Sequence, residues 1–510
     1  MTSSSDQDDA VLAAGRVWFV GAGPGDPGLL TLRGADLLAR ADVVLYDYLA
    51  NPDLLDHVSP DAECICLGRH GTGRIWPQTE VNQRLVEMSR AGKSVVRLKS
   101  GDPGIFARLA EETAYLDQHD VGWEVVPGIT AAMASGSYAG IPLTHRDHAS
   151  SVAFVTGKEN SAKSGESLDY QALACFPGTL VFYMAVTTAP RWVSALLDAG
   201  KHPDTPVAVV RRCSFSDQQT IRCTLSEVID RLTPYKRFPP PAIAIVGDVA
   251  GIETTTTWFQ RRPLFGQTVL VTRPAVQAAA FRNQLRDLGA TVTIHSAIEI
   301  LPPDSWQPVD DLLGRLGQYD WLVFSSANGV RCFFDRLWAT GMDARRFGQA
   351  RLAAIGQRTA DALASLFLKT DLQPDEYRAE ALAEALAANA AGRRFLLVRA
   401  SRGREVLAES LMAAGATVDQ VVVYRSVDGS QPRDELFQRL EEGELDWITV
   451  TSSAIARSLV HQFGDRLRLA KLASISPVTT ATLRELGHEV AVEASEYTMD
   501  GVIAAMVGDG

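Results

Sequence analysis

Short apolar runs recur along the chain, separated by stretches in which apolar positions fall three and four residues apart. In the first half VWFV (17–20), VVLYD (43–47), VVRLKSGD (95–102), WEVVPG (123–128), SVAFVTG (151–157), TLVFYM (179–184), PVAVVRR (206–212) and AIAIVGDV (242–249) predict strands. LRGADLLARA (32–41), TEVNQRLVEMSRAG (79–92) and RWVSALLDAG (191–200) predict helices between them. Strands alternating with helices are the pattern of an α/β protein. This run closes at Gly247-Asp248-Val249, and residues 251–266, GIETTTTWFQRRPLFG, form a polar, Thr-rich bridge. A new strand starts at Thr268, which places the main boundary near residue 260.

The second half repeats itself. LVTRP (270–274) recurs as LVRA (397–400), which pairs Arg273 with Arg399 at an offset of 126. GATV at 289–292 and 415–418, Asp320-Trp321 and Asp446-Trp447, and FSSANGVR (324–331) and VTSSAIAR (450–457) share that offset. LAAIGQRTADAL (352–363) resembles LASISPVTTATL (472–483) at an offset of 120. One duplicated α/β unit accounts for all five matches, and two similar lobes leave a cleft where ligands bind.

Composition narrows the class. The chain has 510 residues, 46% of them hydrophobic and 22% charged, the balance of a globular protein of about two to four domains. No apolar run reaches the roughly 20 residues of a membrane helix. The opening MTSSSDQDDAVLAA lacks the regions of a signal peptide, so residues 1–14 are expected to be a disordered tail and the cytoplasm the compartment. The six cysteines form no C-x-x-C, and no histidine pair has ligand spacing, so no metal is expected. The net charge is −12, shared by both halves, which argues against a nucleic-acid partner. An anionic substrate has to be received by local arginines and helix N-termini.

The stretch GAGPGDPGLLT (21–31) follows the first strand. Its glycines permit positive φ and close approach, its prolines stiffen it, and a helix is expected to start near Leu30. It lacks the lysine of a triphosphate loop, and taken alone it is equally a tight turn without ligand. The other strand ends, Tyr46-Asp47, Ser100-Gly101-Asp102-Pro103 and Val126-Pro127-Gly128-Ile129-Thr130-Ala131, carry the small residues and single carboxylates of an open α/β site.

GAGPGDPGLLT, VVLYD, VVRLKSGDPGIFAR, VVPGITAA, GIPLTHRD and TLVFYM, in this order, resemble the tetrapyrrole methylases, most closely uroporphyrinogen-III C-methyltransferase, over residues 15–258. The resemblance implies that fold, S-adenosylmethionine (SAM) as methyl donor and S-adenosylhomocysteine as its product. It puts Pro24, Ser100, Gly101, Asp102, Ile105, Thr130, Ala131, Met184 and Cys213 at SAM-contacting positions. Asp47 falls at the position of a proposed proton acceptor, and Arg108, Glu111 and Arg146 at positions for substrate binding or proton handling. It also implies a homodimer through this half. Five positions depart from the family: Ala107, Leu109 and Ala110 replace glycines, Arg69 replaces a lysine, and Cys213 replaces a glycine.

The second half offers Ser325-Ser326-Ala327-Asn328, Thr451-Ser452-Ser453 and Ser476-Pro477-Val478-Thr479-Thr480, each at a strand end ahead of a helical pattern. These residues can cap the helices, and they can equally receive carboxylates at helix N-termini. VTRP, SSANGV, VVVYR and SPVTTATLRELG resemble uroporphyrinogen-III synthase over residues 266–510, after a linker at 259–265. That family implies two α/β lobes, here about 266–300 with 425–510, and 301–424. Tyr424 matches its hinge tyrosine and Thr479 a threonine of its cleft. Arg273, Ser325, Ser326, Asn328, Arg399, Ser452 and Ser453 are then the candidates for binding substrate carboxylates.

Together the two resemblances imply an enzyme that cyclises hydroxymethylbilane to uroporphyrinogen III and methylates it at C2 and C7 to precorrin-2. That route leads toward sirohaem, cobalamin or haem. The alternative is an active synthase fused to a SAM-binding module whose methyl transfer is weak or altered.

Overall fold

The computed structural model describes residues 15–68, 76–159, 168–233, 238–252, 257–376, 378–402 and 405–508. The expected tail at 1–14 and Arg69 lie outside the described residues. The chain divides into two compact units, residues 1–267 with 286–291, and 268–285 with 292–510.

The first unit holds two five-stranded sheets. β1 (Val17–Gly21), β2 (Val43–Tyr46), β3 (Glu63–Cys66), β4 (Val95–Lys99) and β5 (Trp123–Val126) form a parallel sheet in the order β3-β2-β4-β1-β5. β1 and β4 lie centrally and every residue in both is buried, as expected of strands covered on two faces. The chain leaves β1 toward β2 and leaves β4 toward β5, in opposite directions across the sheet. The crevice beyond the carboxyl ends of such a neighbouring pair is where ligands of open α/β sheets bind.

β6 (Val152–Thr156), β7 (Thr179–Tyr183), β8 (Pro206–Arg211), β9 (Gln219–Thr224) and β10 (Ala242–Val246) form the second sheet, in the order β6-β7-β10-β8-β9. Only β6 and β7 run parallel; the other pairs are antiparallel. Trp192 stacks on Phe182 at 4.6 Å and anchors the helix Ala189–Asp198 to this sheet.

The second unit also has two sheets. β11 (Thr268–Val271), β12 (Thr291–Ile294), β18 (Trp447–Val450), β19 (Lys471–Ser474) and β20 (Val492–Glu493) lie in the order β12-β11-β18-β19-β20. β13 (Ile298–Leu301), β14 (Trp321–Phe324), β15 (Arg351–Ala354), β16 (Arg394–Ala400) and β17 (Thr417–Asp428) lie in the order β13-β17-β16-β14-β15. The chain crosses from one sheet to the other between β12 and β13 and again after β17.

The repeat is structural. Trp447 is in register with Val269 and Lys471, and Trp321 with Phe395 and Arg351, the same relation displaced by the two offsets read from the sequence. Asp446 accepts from the Thr268 N–H at 2.6 Å, as Asp320 does from the Arg394 N–H at 2.8 Å, so each Asp-Trp pair pins the start of a neighbouring strand. A cation lies over each tryptophan ring, Lys471 at 5.0 Å and Arg351 at 5.6 Å. The bridge Ala353–Leu372 even reproduces the pairing of Ala473 with Val492.

Candidate functional site

In the first unit the sequence-predicted residues gather at strand ends. Gly23 and Gly101 pair through two backbone hydrogen bonds of 3.1 and 2.8 Å, which locks the loop after β1 to the turn after β4. Three glycines meet beneath this junction. A Cβ on Gly128 would lie 2.3 Å from the Gly101 carbonyl oxygen, and one on Gly21 would lie 2.5 Å from the Gly128 Cα. Backbone therefore packs on backbone, and the surface above is formed by peptide groups. Asp102 fastens the third strand end: Oδ2 accepts from Gly128 N–H at 2.9 Å, and Oδ1 from Gly104 N–H at 2.8 Å. Ile105 closes the same turn by donating its N–H to the Asp102 carbonyl at 3.2 Å.

Pro24 lies between Gly23 and Gly25 in a loop that the second sheet holds in place. Ser214 Oγ accepts from the Asp26 N–H at 2.9 Å, and Tyr138 donates its hydroxyl to Asp26 Oδ2 at 2.7 Å. Gln218 closes the ring, accepting from Ser214 N–H at 2.9 Å and donating to the Tyr138 carbonyl at 3.2 Å. The neighbouring Cys213 is buried, and burial pushes its thiol up to about 12. Tyr138→Phe removes one donor from this ring. It is expected to lower stability by about 1–2 kcal/mol, read by thermal unfolding.

Thr130 and Ala131 begin the helix Ala131–Tyr138. Tyr183 ties that helix to the second sheet, with its hydroxyl 2.5 Å from Thr130 Oγ1 and 3.1 Å from the Ala132 N–H. Met184 follows Tyr183 at φ 53° and is 45% exposed, so it faces out of the core. Phe106, Arg108, Arg212 and Ser214 also take positive φ, and these five side-chain-bearing residues all sit in strand-end loops of the two sheets. Such backbone conformations cost about 1–3 kcal/mol each and concentrate at functional sites.

The polar candidates divide into two groups. Asp47, at the end of β2, accepts from Arg97 Nη2 at 2.5 Å and from the Ser100 N–H at 3.1 Å. Burial alone would raise its carboxyl; the Arg97 and Lys99 charges outweigh that and hold it below the ordinary carboxylate range. Arg108 and Glu111 instead pair with each other at 2.5 Å, both more than half exposed. Arg146 is exposed in the turn His145–Ala149. Leu109 and Ala110, where the family carries glycine, form the first turn of the helix Leu109–Asp117, and Arg108 ahead of it takes φ 57°.

Sequence reasoning missed Asp26, Tyr138, Gln218, Tyr183, Arg97, Lys99 and Glu112. A signal existed for two of them. The run VVRLK places two cations on one face of a strand that both neighbours cover, and such charges need buried partners.

In the second unit Ser326, Ser452 and Ser476 are N-caps of the helices Ala327–Ala339, Ser453–Phe463 and Pro477–Glu485. Tyr424 is 7% exposed and its hydroxyl lies 3.0 Å from Ser326 Oγ. Burial raises the phenol, so it remains protonated at neutral pH and available as a donor. Ser325 donates to the Val398 carbonyl at 3.3 Å. Thr479 is buried with its hydroxyl 3.1 Å from Ser476 Oγ, and Ser453 accepts from Thr482 at 2.9 Å.

Arg273 and Asn328 are brought together through Gln277, which accepts from Arg273 at 3.1 Å and donates to Asn328 at 2.7 Å. This bridge joins the two lobes of the unit. Burial, and then the charge of Arg358, pull the Arg273 guanidinium down to about 10. Arg399 is turned elsewhere, onto Glu405 at 2.5 Å and Gln420 at 2.6 Å. A cavity of about 880 Å³ opens beside the bridge, lined by Gln277, His295, Arg331, Arg433 and Arg439 among others. Of the predicted residues none lines it. Arg331, which closes the run FSSANGVR, and Pro274, which closes LVTRP, both line it.

Among the described residues no group of three or more His, Cys, Asp or Glu is placed to hold a metal. Among them no helix is long and apolar enough to cross a membrane.

The chain matches the family model for Tetrapyrrole (Corrin/Porphyrin) Methylases over residues 16–229, and that for Uroporphyrinogen-III synthase HemD over residues 279–504. It is 32% identical to a porphyrin biosynthesis protein HemD of Ruminiclostridium josui, over 96% of this chain and 95% of that protein. A uroporphyrinogen-III C-methyltransferase of Bacillus subtilis (strain 168) is 37% identical over 72% of this chain and 74% of its own length. The structure of a uroporphyrin-III C-methyltransferase from Thermus thermophilus, complexed with S-adenyl homocysteine, aligns with a TM-score of 0.41. It is 38% identical and covers 47% of this chain and 100% of that one.

Proposed function

The chain belongs to the family of porphyrin-biosynthesis enzymes that join a tetrapyrrole methylase to a uroporphyrinogen-III synthase, and we propose that it carries hydroxymethylbilane through uroporphyrinogen III to precorrin-2. The observation that carries this reading is the pairing itself, because the product of the second activity is the substrate of the first. In this reading residues 15–258 are the methyltransferase, 259–265 the linker and 266–510 the synthase. The enzyme works in the cytoplasm as a homodimer through the methyltransferase half.

The glycine junction fits SAM, since a close-packed backbone cradle leaves peptide groups to meet a polar ligand. Pro24, Ser100, Gly101, Asp102, Ile105, Thr130, Ala131, Met184 and Cys213 would hold it. When bound, SAM supplies an electrophilic methyl group and leaves as S-adenosylhomocysteine. Asp47 presents a fixed negative charge at the strand ends, which offsets the positive charge that methylation places on a pyrrole. Arg108 and Arg146 are exposed guanidinium groups for the carboxylates of the macrocycle. Substrate binding at Arg108 draws it from Glu111.

In the synthase, Tyr424 donates a hydrogen bond to the hydroxyl of hydroxymethylbilane as its C–O bond breaks, and Ser326 orients the phenol. Water departs and leaves an azafulvene. Ring D attacks through a spiro intermediate and the macrocycle closes with ring D inverted. The substrate is intrinsically reactive, so the lobes need only hold it in one geometry. The capped helix N-termini and Arg273 receive its carboxylates without a large positive field.

Mass analysis after anaerobic incubation with uroporphyrinogen III and SAM tests the methyl-transfer half. Two added methyl groups are expected. One methyl group, or none, would favour a module of altered or weak transfer, for which Leu109, Ala110, Arg69 and Cys213 are the first suspects.

A further inference from the structure

A layer of buried charge lies behind Asp47. Arg97 and Lys99 are two apart on β4 and share a face. Arg97 binds two carboxylates, with Nη2 at 2.5 Å from Asp47 Oδ1 and Nε at 3.3 Å from Glu112 Oε2. Lys99 Nζ lies 2.6 Å from Glu112 Oε1, and Gln78 donates to the same oxygen at 3.1 Å. The side chains of Lys99 and Glu112 are 1% exposed and that of Arg97 6%, whereas that of Asp47 is 29% exposed. Two cations and two carboxylates balance, so the cluster needs no ligand to be neutral.

The cluster is shut at Glu112 and open at Asp47, whose second oxygen is held by the Ser100 N–H in the turn that carries Gly101. The guanidinium fork is the piece that spans both carboxylates, a geometry lysine does not reproduce.

We propose that Arg97 and Glu112 are positioning residues for methyl transfer: Glu112 orients Arg97, and Arg97 fixes Asp47 in place as a carboxylate at the mouth of the site. The inference rests on the methyltransferase reading of the first unit. Its chemical content is preorganisation, because a charge held in place before the reaction does not reorganise as the pyrrole becomes positive. The charged groups facing Asp47 are Arg97 and Lys99 of β4, with Glu112 behind them on the helix Leu109–Asp117. A carboxyl depressed in the fold contributes stability above its unfolded value, about 3.9, and loses it as pH falls below that.

The test uses the full chain and a double-mutant cycle of Arg97→Lys and Asp47→Asn. Arg97→Lys is expected to lower kcat for methyl transfer by about 10- to 100-fold, with the Kd for SAM within about threefold by calorimetry. The same substitution in the Asp47→Asn background is expected to cost nothing further. Glu112→Gln should move kcat in the same direction and supplies the test if the lysine variant is unstable. A second readout needs no turnover: without SAM, Arg97→Lys should be less stable than the wild type at neutral pH and should lose less stability on acidification below about pH 4, because its Asp47 is less depressed. Additive losses in the cycle, or a SAM affinity that falls in step with kcat, would overturn the proposal. A wild-type chain unable to methylate would count against the methyltransferase reading instead. The unfolding comparison would still decide whether Arg97 holds Asp47 ionised.

Discussion

Gly128→Ala is expected to abolish SAM binding while the same chain still cyclises hydroxymethylbilane. The added methyl would sit 2.3 Å from the Gly101 carbonyl oxygen and 2.7 Å from the Gly21 Cα. Both neighbours are backbone of strand ends paired in one sheet, so neither can swing aside as a side chain would. The ends of β1, β4 and β5 must separate, which carries Gly23, Ser100 and Asp102 out of register. Overpacking of this kind costs about 1–3 kcal/mol or more. Because the strain falls on the binding surface, a rise in the SAM Kd of at least about 100-fold is expected, equivalent to roughly 2.7 kcal/mol. Gly101→Ala is the informative contrast. Gly101 takes φ +70°, yet the nearest atoms to its added Cβ lie 3.8 Å away. That variant meets left-handed strain of about 1–2 kcal/mol without a clash, and should bind SAM with a smaller loss. Calorimetric titration of both variants, beside a synthase assay on the same preparation, measures the difference.

Tyr424→Phe is expected to lower the synthase rate by about 100-fold, the lower end of the contribution of a positioned acid. The ring is almost fully buried and stays in place, since only its oxygen is lost. Ser326 keeps its other task, accepting from the Gly329 N–H at 2.9 Å, so the helix behind it remains capped. The melting temperature should change little. A slower enzyme releases more substrate to spontaneous closure, so the type I isomer should rise as a fraction of product. Ser326→Ala gives a different profile: loss of an N-cap costs about 1 kcal/mol, and the phenol survives without the hydroxyl that orients it, so the rate falls less than in Tyr424→Phe. Isomer analysis by chromatography, set against thermal unfolding, separates the two. Methylation of supplied uroporphyrinogen III should be unaffected in both variants.

The parts that were legible in the sequence share a cause. Central parallel strands such as VWFV are apolar throughout because both faces are covered, and the repeated lobes preserve their offsets because the Asp-Trp pairs do the same work in each. The helix expected near Leu30 starts at Leu32. A short turn, Pro27–Leu29, comes first, and Thr31 caps the helix by accepting from the Gly34 N–H at 3.0 Å. β3 and β9 were not anticipated. Both lie at sheet edges; Gln219–Thr224 carries neither a continuous apolar run nor a clean alternation, and Glu63–Cys66 is a four-residue strand whose first two residues are exposed.

Side-chain partners across long separations were harder still. Asp26 meets Ser214 from 188 residues away, Gln277 meets Asn328 across the lobes, and nothing local in either segment announces the other. Arg399 shows the limit of arguing by repeat. It corresponds to Arg273, yet Glu405 lies six residues on and holds it. Arg273 is turned toward the other lobe through Gln277.

Whether one chain performs both reactions in sequence is decided by a single anaerobic incubation of the protein with hydroxymethylbilane, with and without SAM, resolved by mass and isomer. Type III uroporphyrinogen is expected without SAM, and a doubly methylated product of the type III series with it. Unmethylated type III product in both samples would rule out the proposed methyltransferase activity, and type I product in both would rule out the proposed synthase activity.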